Sequence, residues 1–231
     1  MRLNKFISES GATSRRGADA AIAEGRVRVN GVAATLGTQV EAGDAVELDG
    51  RPVAPRNEFT YIALNKPVGV TCTTERHVEG NIIDFVKHPQ RIFPVGRLDK
   101  DSEGLIVLTN NGDIVNELLR VENHHEKEYV VTVDRPVTDD FLRGMAHGVD
   151  ILETRTLPCA VRRIGRNVFG IILTQGLNRQ IRRMCAAFEY RVWRLQRVRI
   201  NTLRLDGLAP GQWRDLRMDE LRGLLPQRTR W

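Results

Sequence analysis

A chain of 231 residues, 41% hydrophobic and 28% charged, can bury one sizeable core, or a small one followed by a larger one. No run of about 18 apolar residues occurs, and Met1-Arg2-Leu3-Asn4-Lys5 enters a polar helical pattern without a signal-peptide core, so neither a membrane helix nor export is expected. The net charge is +6, and the three cysteines, Cys72, Cys159 and Cys185, lie far apart with no C-x-x-C pair, which suits a reducing, cytoplasmic setting without a disulfide framework.

In chain order, the first 50 residues read as a small module. Leu3, Phe6 and Ile7 sit at helical spacing up to Gly11. Thr13 or Ser14 can cap a second helix carrying Ala18, Ala21 and Ile22, which Gly25 ends. Arg26-Val27-Arg28-Val29 alternates like a strand and Asn30-Gly31 is a hairpin turn. Two further strand-like pieces fall around Thr38–Val40 and Ala45–Leu48. Basic residues gather in the helical half and acids in the second, so one face is expected to be basic. Residues 51–58, with Pro52 and Pro55, read as a linker.

The stretch 59–225 alternates strand candidates (Thr60–Asn65, Gly104–Thr109, Lys127–Asp134, Val168–Leu173, Val192–Ile200) with helix candidates (Ile82–Val86, Asp113–Arg120, Thr138–His147, Asn178–Phe188). Gaps of both hairpin and helix length predict an α+β fold with a mixed, mainly antiparallel sheet and flanking helices. Residues 226–231 read as a tail. Between Val161 and Leu205 arginines recur (Arg162, Arg163, Arg166, Arg179, Arg182, Arg183, Arg191, Arg194, Arg197, Arg199, Arg204), and Glu189 is the one acid there. Such a block is an electrostatic footprint for phosphate, although the chain has only five lysines and a general preference for arginine would give a similar count. Arg197 and Arg199 are expected on opposite faces of their strand.

The densest chemistry is Gly96-Arg97-Leu98-Asp99-Lys100-Asp101-Ser102-Glu103-Gly104-Leu105, which places carboxylates in a loop just before an apolar strand. Residues alone make a purely structural loop the default reading. His124-His125 and Cys72…His77 lack zinc spacing, and no Walker-type loop, G-x-G-x-x-G or G-x-S-x-G occurs, so no metal or cofactor is expected.

On Arg2-Leu3, Ala12-Thr13-Ser14-Arg15-Arg16, Gly25, Val27-Arg28-Val29-Asn30-Gly31 and Gly43-Asp44, the first module resembles the S4 RNA-binding domain. The remainder resembles the RsuA-like pseudouridine synthases. The ordered motifs are Asn65-Lys66-Pro67-Val68-Gly69, Gly96-Arg97-Leu98-Asp99 with Asp101-Ser102-Glu103-Gly104-Leu105, Leu108-Thr109-Asn110-Asn111-Gly112-Asp113, Lys127-Glu128-Tyr129-Val130-Val131, and Asn178-Arg179-Gln180-Ile181-Arg182-Arg183-Met184. The resemblance implies that Asp99 is the catalytic carboxylate, that Tyr129 lies against the base, and that Arg182 pairs with Asp99. Arg97 would fill the stack vacated by a flipped uridine. Lys5, Arg15, Arg16, Arg28, Arg179 and Arg183 would touch RNA.

Gln175-Gly176-Leu177-Asn178-Arg179-Gln180 and Phe141-Leu142-Arg143-Gly144-Met145 look most like the RluF-type branch, which modifies 23S ribosomal RNA. The alternatives are the same chemistry on a transfer RNA anticodon stem-loop, a non-catalytic S4-type ribosome-associated binder, and a hydrolase using Asp99 with Glu103. A monomer with RNA as its partner is expected.

Overall fold

The computed structural model describes residues 1–55, 58–119 and 125–226. Arg56 of the expected linker, Arg120 at the end of an expected helix, His124, and the tail beyond Pro226 lie outside the described residues.

Contacts divide the chain into two compact units. In the first, α1 (Leu3–Glu9) and α2 (Arg15–Ala23) precede β1 (Val27–Val29), β2 (Val32–Ala33), β3 (Val46–Leu48) and β4 (Arg51–Val53). The strands form one antiparallel sheet in the order β2-β1-β3-β4. Leu3 and Ile7 of α1, Ala18, Ala21 and Ile22 of α2, and Val27 and Val46 of the sheet bury one another as the core. Ser14 is the cap of α2, its hydroxyl accepting from Gly17 N–H. Asn30 and Gly31 both take positive φ, 51° and 78°, which matches the twist of the β1–β2 hairpin.

Two expectations change here. Thr38–Val40 forms no strand, and only Gln39 bridges to Arg2. The expected linker begins too early, because Arg51–Val53 pairs with β3. Pro52 is admissible there because β4 is an edge strand, where a missing N–H costs no ladder bond.

The second unit contains β5 (Tyr61–Lys66), α3 (Ile82–Val86), β6 (Phe93–Val95), β7 (Glu103–Thr109), α4 (Asp113–Leu119), β8 (Lys127–Val133) and α5 (Asp139–Ala146). There follow β9 (Asp150–Ile151), β10 (Thr154–Arg155), β11 (Ala160–Gly165), β12 (Val168–Leu173), α6 (Gln180–Ala187), β13 (Val192–Ile200), β14 (Leu203–Arg204), β15 (Trp213–Asp215) and α7 (Met218–Leu224). One large sheet runs β11-β12-β8-β13-β7-β5-β15, with β6 beside β7 and β14 beside β13. Every pairing is antiparallel except β13 with β7, so the expected mixed, mainly antiparallel sheet is present.

Two apolar clusters hold the helices to the sheet. Phe141 and Met145 of α5 and Ile181, Met184 and Cys185 of α6 pack on Val131, Val133, Phe169, Ile171 and Leu195. Ile114 and Leu118 of α4 and Leu221 and Leu224 of α7 pack on Tyr61, Ala63, Leu105, Val107 and Ile200. Burying a side chain of this size is worth roughly 1.5–3 kcal/mol, so these clusters fix the sheet on which the loops stand.

The centre of the sheet carries two departures from regularity. At the parallel contact Arg197 faces Gly104, and a Cβ on Gly104 would stand 2.2 Å from the Arg197 carbonyl oxygen. Gly104 also has φ +105°, so only glycine suits both the approach and the backbone. One residue further, β13 bulges against β8 between Arg197 and Arg199. Residues two apart on a regular strand share a face, and the bulge inverts that. Arg197 is paired opposite Tyr129, whereas Arg199 turns to the other face and bonds Glu128.

Candidate active site

The loop Leu98–Ser102 enters β7 and is pinned from several sides. Ser102 N–H closes a turn on the Asp99 carbonyl at 3.0 Å. Gly69 N–H donates to the Lys100 carbonyl at 2.7 Å, and Leu98 N–H to Cys72 Sγ at 3.4 Å. The Lys66-Pro67-Val68-Gly69 turn is therefore a brace for this loop. Lys66 is itself fully buried, and its ammonium donates to the carbonyls of Pro67 and Val70 at 2.9 and 2.8 Å. Burial lowers its pKa, while the charges of Cys72, Asp101, Asp99 and Glu103 work against that shift.

Held in this way, Asp99 presents a carboxylate that keeps 33% side-chain exposure. It borders a cavity of about 470 Å³ lined also by Arg97, Lys127, Tyr129, Arg179 and Arg197, within the range of small-ligand sites. Tyr129 comes from β8, two residues after Lys127, so strand alternation puts both on the cavity face. Among the described residues the Tyr129 hydroxyl has no hydrogen-bond partner.

The arginine beside Asp99 is not the one expected. Arg179 Nη1 lies 3.5 Å from Asp99 Oδ2, and the same guanidinium grips Asp101 through two bonds of 3.1 and 3.0 Å. Arg182 instead donates to the Asp101 carbonyl at 2.9 Å, to Ser102 Oγ at 3.4 Å and to the Val192 carbonyl at 3.3 Å, with Asp101 Oδ2 at 3.4 Å. The reason is local. Arg179 adopts φ 49°, ψ 35° immediately before α6, which leaves its side chain at the helix entrance, whereas Arg182 is one turn in and half-buried against the loop backbone. The hydrogen bonds from Arg179, with the charge of Arg182 adding to them, hold the Asp101 carboxyl below the usual carboxylate range.

A purely structural Arg97 would pair with Asp101 or Glu103. Those carboxylates are taken by Arg179 and Arg182, and by Arg194, respectively. Among the described residues Arg97 is exposed at the cavity with no ion-pair partner.

Two family models match the chain. Residues 60–187 match the family model described as RNA pseudouridylate synthase, and residues 1–46 match the S4 domain.

The chain belongs to the RNA pseudouridylate synthase family.

Its relatives agree along nearly the whole length. It is 58% identical over 222 residues to the dual-specificity RNA pseudouridine synthase RluF of Salmonella typhi, covering 95% of this chain and 77% of that protein. It is 36% identical to the ribosomal large subunit pseudouridine synthase B of Bacillus subtilis (strain 168), covering 96% and 95%. A solved pseudouridylate synthase superposes with a TM-score of 0.71 at 29% identity, covering 97% of this chain and 99% of that one. The chain is thus an isomerase of the pseudouridine synthase class with an S4 domain at its start.

The arginine block looks different once folded. Arg162 and Arg199 pair with Glu128, Arg199 also with Glu126, Arg163 with Asp139, Arg194 with Glu103, and Arg179 and Arg182 with Asp101. The fold brings acids from elsewhere in the chain onto a segment that has almost none of its own. Arg166, Arg191 and Arg204 are exposed without an ion-pair partner among the described residues, and exposed Arg183 bonds the neutral Asn178. In the first unit Arg15 and Arg16 are exposed and unpaired among the described residues, Arg28 bonds the Gly31 carbonyl, Lys5 pairs with Glu9 at 3.4 Å, and Arg26 is engaged by Asp49 and Glu24.

Lys127 and Arg197 are the cavity residues that sequence reasoning gave no role in the chemistry. Their signal in the sequence was one basic residue in each of two strands, Arg197 within the arginine block and Lys127 two residues before Tyr129.

No helix among the described residues is long and apolar enough to cross a membrane.

Proposed function

We propose that this isomerase converts a uridine of structured large-subunit (23S) ribosomal RNA to pseudouridine, with Asp99 as the group that meets the ribose. The observation carrying the residue assignment is the Asp99 carboxylate, pinned by its loop, accompanied by Arg179 and opening onto a cavity shared with Tyr129. The reaction breaks the bond between uracil N1 and ribose C1′, turns the base, and rejoins it through C5. A carboxylate serves by attacking C1′, by stabilising positive character there, or by removing a ribose proton. Arg179 keeps Asp99 ionised and oriented. Tyr129 supports the base and assists loss of the C5 proton. Arg97, which no carboxylate claims among the described residues, takes the place of the extruded uridine in the helix, where its planar guanidinium both stacks and hydrogen-bonds. Arg15, Arg16 and Arg28 in the S4 domain and Arg183 of α6 supply phosphate contacts, with Lys5 near them in sequence.

Large-subunit RNA is favoured by the similarity to the Bacillus large-subunit enzyme. The dual-specificity relatives favour a second RNA, and a transfer RNA anticodon stem-loop is the reading we advance. The intact set around Asp99 separates this chain from a mere S4-type binder. Mapping pseudouridine after incubation with 23S fragments, 16S fragments and transfer RNA tests the assignment. Modification at a single site in a 23S fragment, lost in Asp99→Asn, is the expected result. Modification of 16S RNA alone overturns it.

A further inference from the structure

We propose that Arg197, with Lys127 beside it, binds a carbonyl oxygen of the uracil and stabilises the negative charge that base acquires as it leaves the ribose. This inference rests on the uridine isomerisation proposed above, and assigns that site a group for the departing base in addition to the groups for the sugar.

Four observations carry it. Arg197 is only 4% exposed yet lines the same cavity as Asp99 and Tyr129. Its Nε donates to the Leu105 carbonyl at 2.6 Å, but its buried Nη2 has no partner. It stands directly across the ladder from Tyr129, where opposite side chains are neighbours about 5 Å apart, so a base lying on the tyrosine is within reach of the guanidinium. Lys127, opposite Ile200 in the same ladder, adds a second cation on that face, its ammonium donating to the His125 carbonyl at 3.2 Å. Burial first, and then the charge of Arg197, lowers the Lys127 pKa. Two like charges in a partly enclosed cavity, with no carboxylate paired to either among the described residues, are costly unless a ligand brings the opposite charge. A guanidinium serving only as a staple for the Leu105 carbonyl needs neither a second cation nor an unused donor.

The chemistry balances within the substrate. When the C1′–N1 bond breaks, its electron pair goes with the uracil and spreads over N1 and the carbonyl oxygens. The sugar is left electron-poor, to be captured by Asp99 or to lose a ribose proton to it. On rejoining, a pair from the C5 side of the ring forms the C5–C1′ bond, displacing the Asp99 carboxylate from C1′ on the first route or, on the second, with the ribose proton returned from Asp99; the C5 proton then departs while N1 regains one. Both routes for the sugar require the base to carry charge away, and a fixed donor aimed at that charge acts mainly in the transition state.

The test compares single-turnover cleavage of the C1′–N1 bond in an RNA fragment that the wild-type enzyme modifies, carrying either uridine or 5-fluorouridine at the target. Fluorine makes the departing base a better leaving group, so a variant lacking the stabilising donor is penalised less on that RNA. Arg197→Gln is expected to slow the uridine RNA by about 10²–10³ and the fluorinated RNA at least about tenfold less, with RNA affinity little changed. Arg197→Lys is expected to recover part of the loss. Lys127→Gln, which leaves the Leu105 contact intact, is expected to give the same pattern with smaller amplitude, and it carries the test if Arg197→Gln does not fold by circular dichroism. Equal slowing on both RNAs, or none, overturns the proposal. Failure of the wild-type protein to convert any uridine of 23S fragments or transfer RNA instead overturns the uridine isomerisation on which it rests.

Discussion

Arg179 bridges Asp99 and Asp101: one guanidinium nitrogen lies 3.5 Å from the Asp99 carboxylate while two bonds of 3.1 and 3.0 Å hold Asp101. Arg182 acts behind it, on the backbone of the same loop. The two arginines should therefore separate experimentally. Arg179→Gln removes the cation that accompanies Asp99, so kcat should fall about 10–100-fold, while its half-exposed pairing with Asp101 should cost at most about 1 kcal/mol of stability. Arg182→Gln frees the loop itself, and should lower both kcat and the unfolding free energy, the latter by about 2–3 kcal/mol. Single-turnover rates beside thermal melts decide between these patterns; an Arg179 variant of unchanged rate would remove it from the site.

Asp99→Asn keeps the shape of the loop and removes the charge. Turnover should fall by at least ~10²–10⁴ while the dissociation constant for RNA stays within a few-fold. Tyr129→Phe keeps the ring and loses the hydroxyl, so the late proton removal should slow and a rearranged intermediate should accumulate. Quench-flow sampling shows either result, and Asp99→Asn turnover within tenfold of wild type would contradict the assignment.

Gly104→Ala should be among the most destabilising single changes in the second unit. Its Cβ would meet Arg197 backbone atoms at 2.2 and 2.7 Å, and the φ of +105° is unfavourable for alanine as well. Overpacking costs typically 1–3 kcal/mol and left-handed strain adds to it, so a loss of about 3 kcal/mol or more is expected in urea titration. Activity should vanish with it, because the contact joins β7 and β13.

Acid should loosen the back of the sheet before most of the core. Glu128 has a depressed pKa, chiefly from the Arg199 hydrogen bond and then from Arg162. Its folded form binds a proton less readily than its unfolded form, so its contribution is complete above its ordinary value of 4.5 and disappears as pH falls through the lowered folded value. Asp101 follows the same sign from its ordinary value of 3.8. Melting temperatures taken downward from about pH 5 should decline, and Glu128→Gln should be less stable at neutral pH with a shallower decline in acid. A variant with the wild-type acid slope would locate the sensitivity elsewhere.

Salt dependence should distinguish paired from unpaired arginines. Arg166, Arg191 and Arg204 keep uncompensated charge among the described residues, whereas Arg162 and Arg194 face carboxylates. Each phosphate contact removed lowers the slope of log K against log salt by about 0.7–0.9. Glutamine at Arg183 or Arg191 should flatten the slope and weaken all RNAs alike, and glutamine at Arg162 should leave it unchanged. Identical slopes throughout would mean that RNA does not touch this face.

What was legible in sequence was whatever local chemistry writes down. Ser14, Asn30-Gly31 and the loop from Gly96 to Leu105 each announce a cap, a turn or a strand entry within a few residues. The strands β5, β7 and β12 are long enough and apolar enough to be read directly. By contrast β11 carries Arg162 and Arg163 at its centre, and β15 is Trp213-Arg214-Asp215; both lie at sheet edges, where polar residues blur the apolar signal. The pairing within the arginine block was not legible because its partners are remote in sequence: Glu103 lies 91 residues before Arg194, and Glu126 lies 73 before Arg199. The exchange of Arg182 for Arg179 at Asp99 had a similar origin. Which of two arginines three residues apart reaches a carboxylate depends on where α6 begins, and that start is set by the left-handed backbone of Arg179.

The parallel contact between β7 and β13 also has a consequence for when the enzyme comes into being. Arg197 bonds the carbonyl of a residue 92 positions earlier, and β5 is paired by β15 later still. Long-range pairings of this kind form slowly, since a large loop must close before any contact repays it. A nascent chain therefore carries the Asp99 loop for much of its synthesis without a cavity behind it. The four strands of the first sheet, which lie within the first 53 residues, are made well before that. During translation the strands of the first sheet are thus all present at a stage when the cavity beside Asp99 still lacks β13.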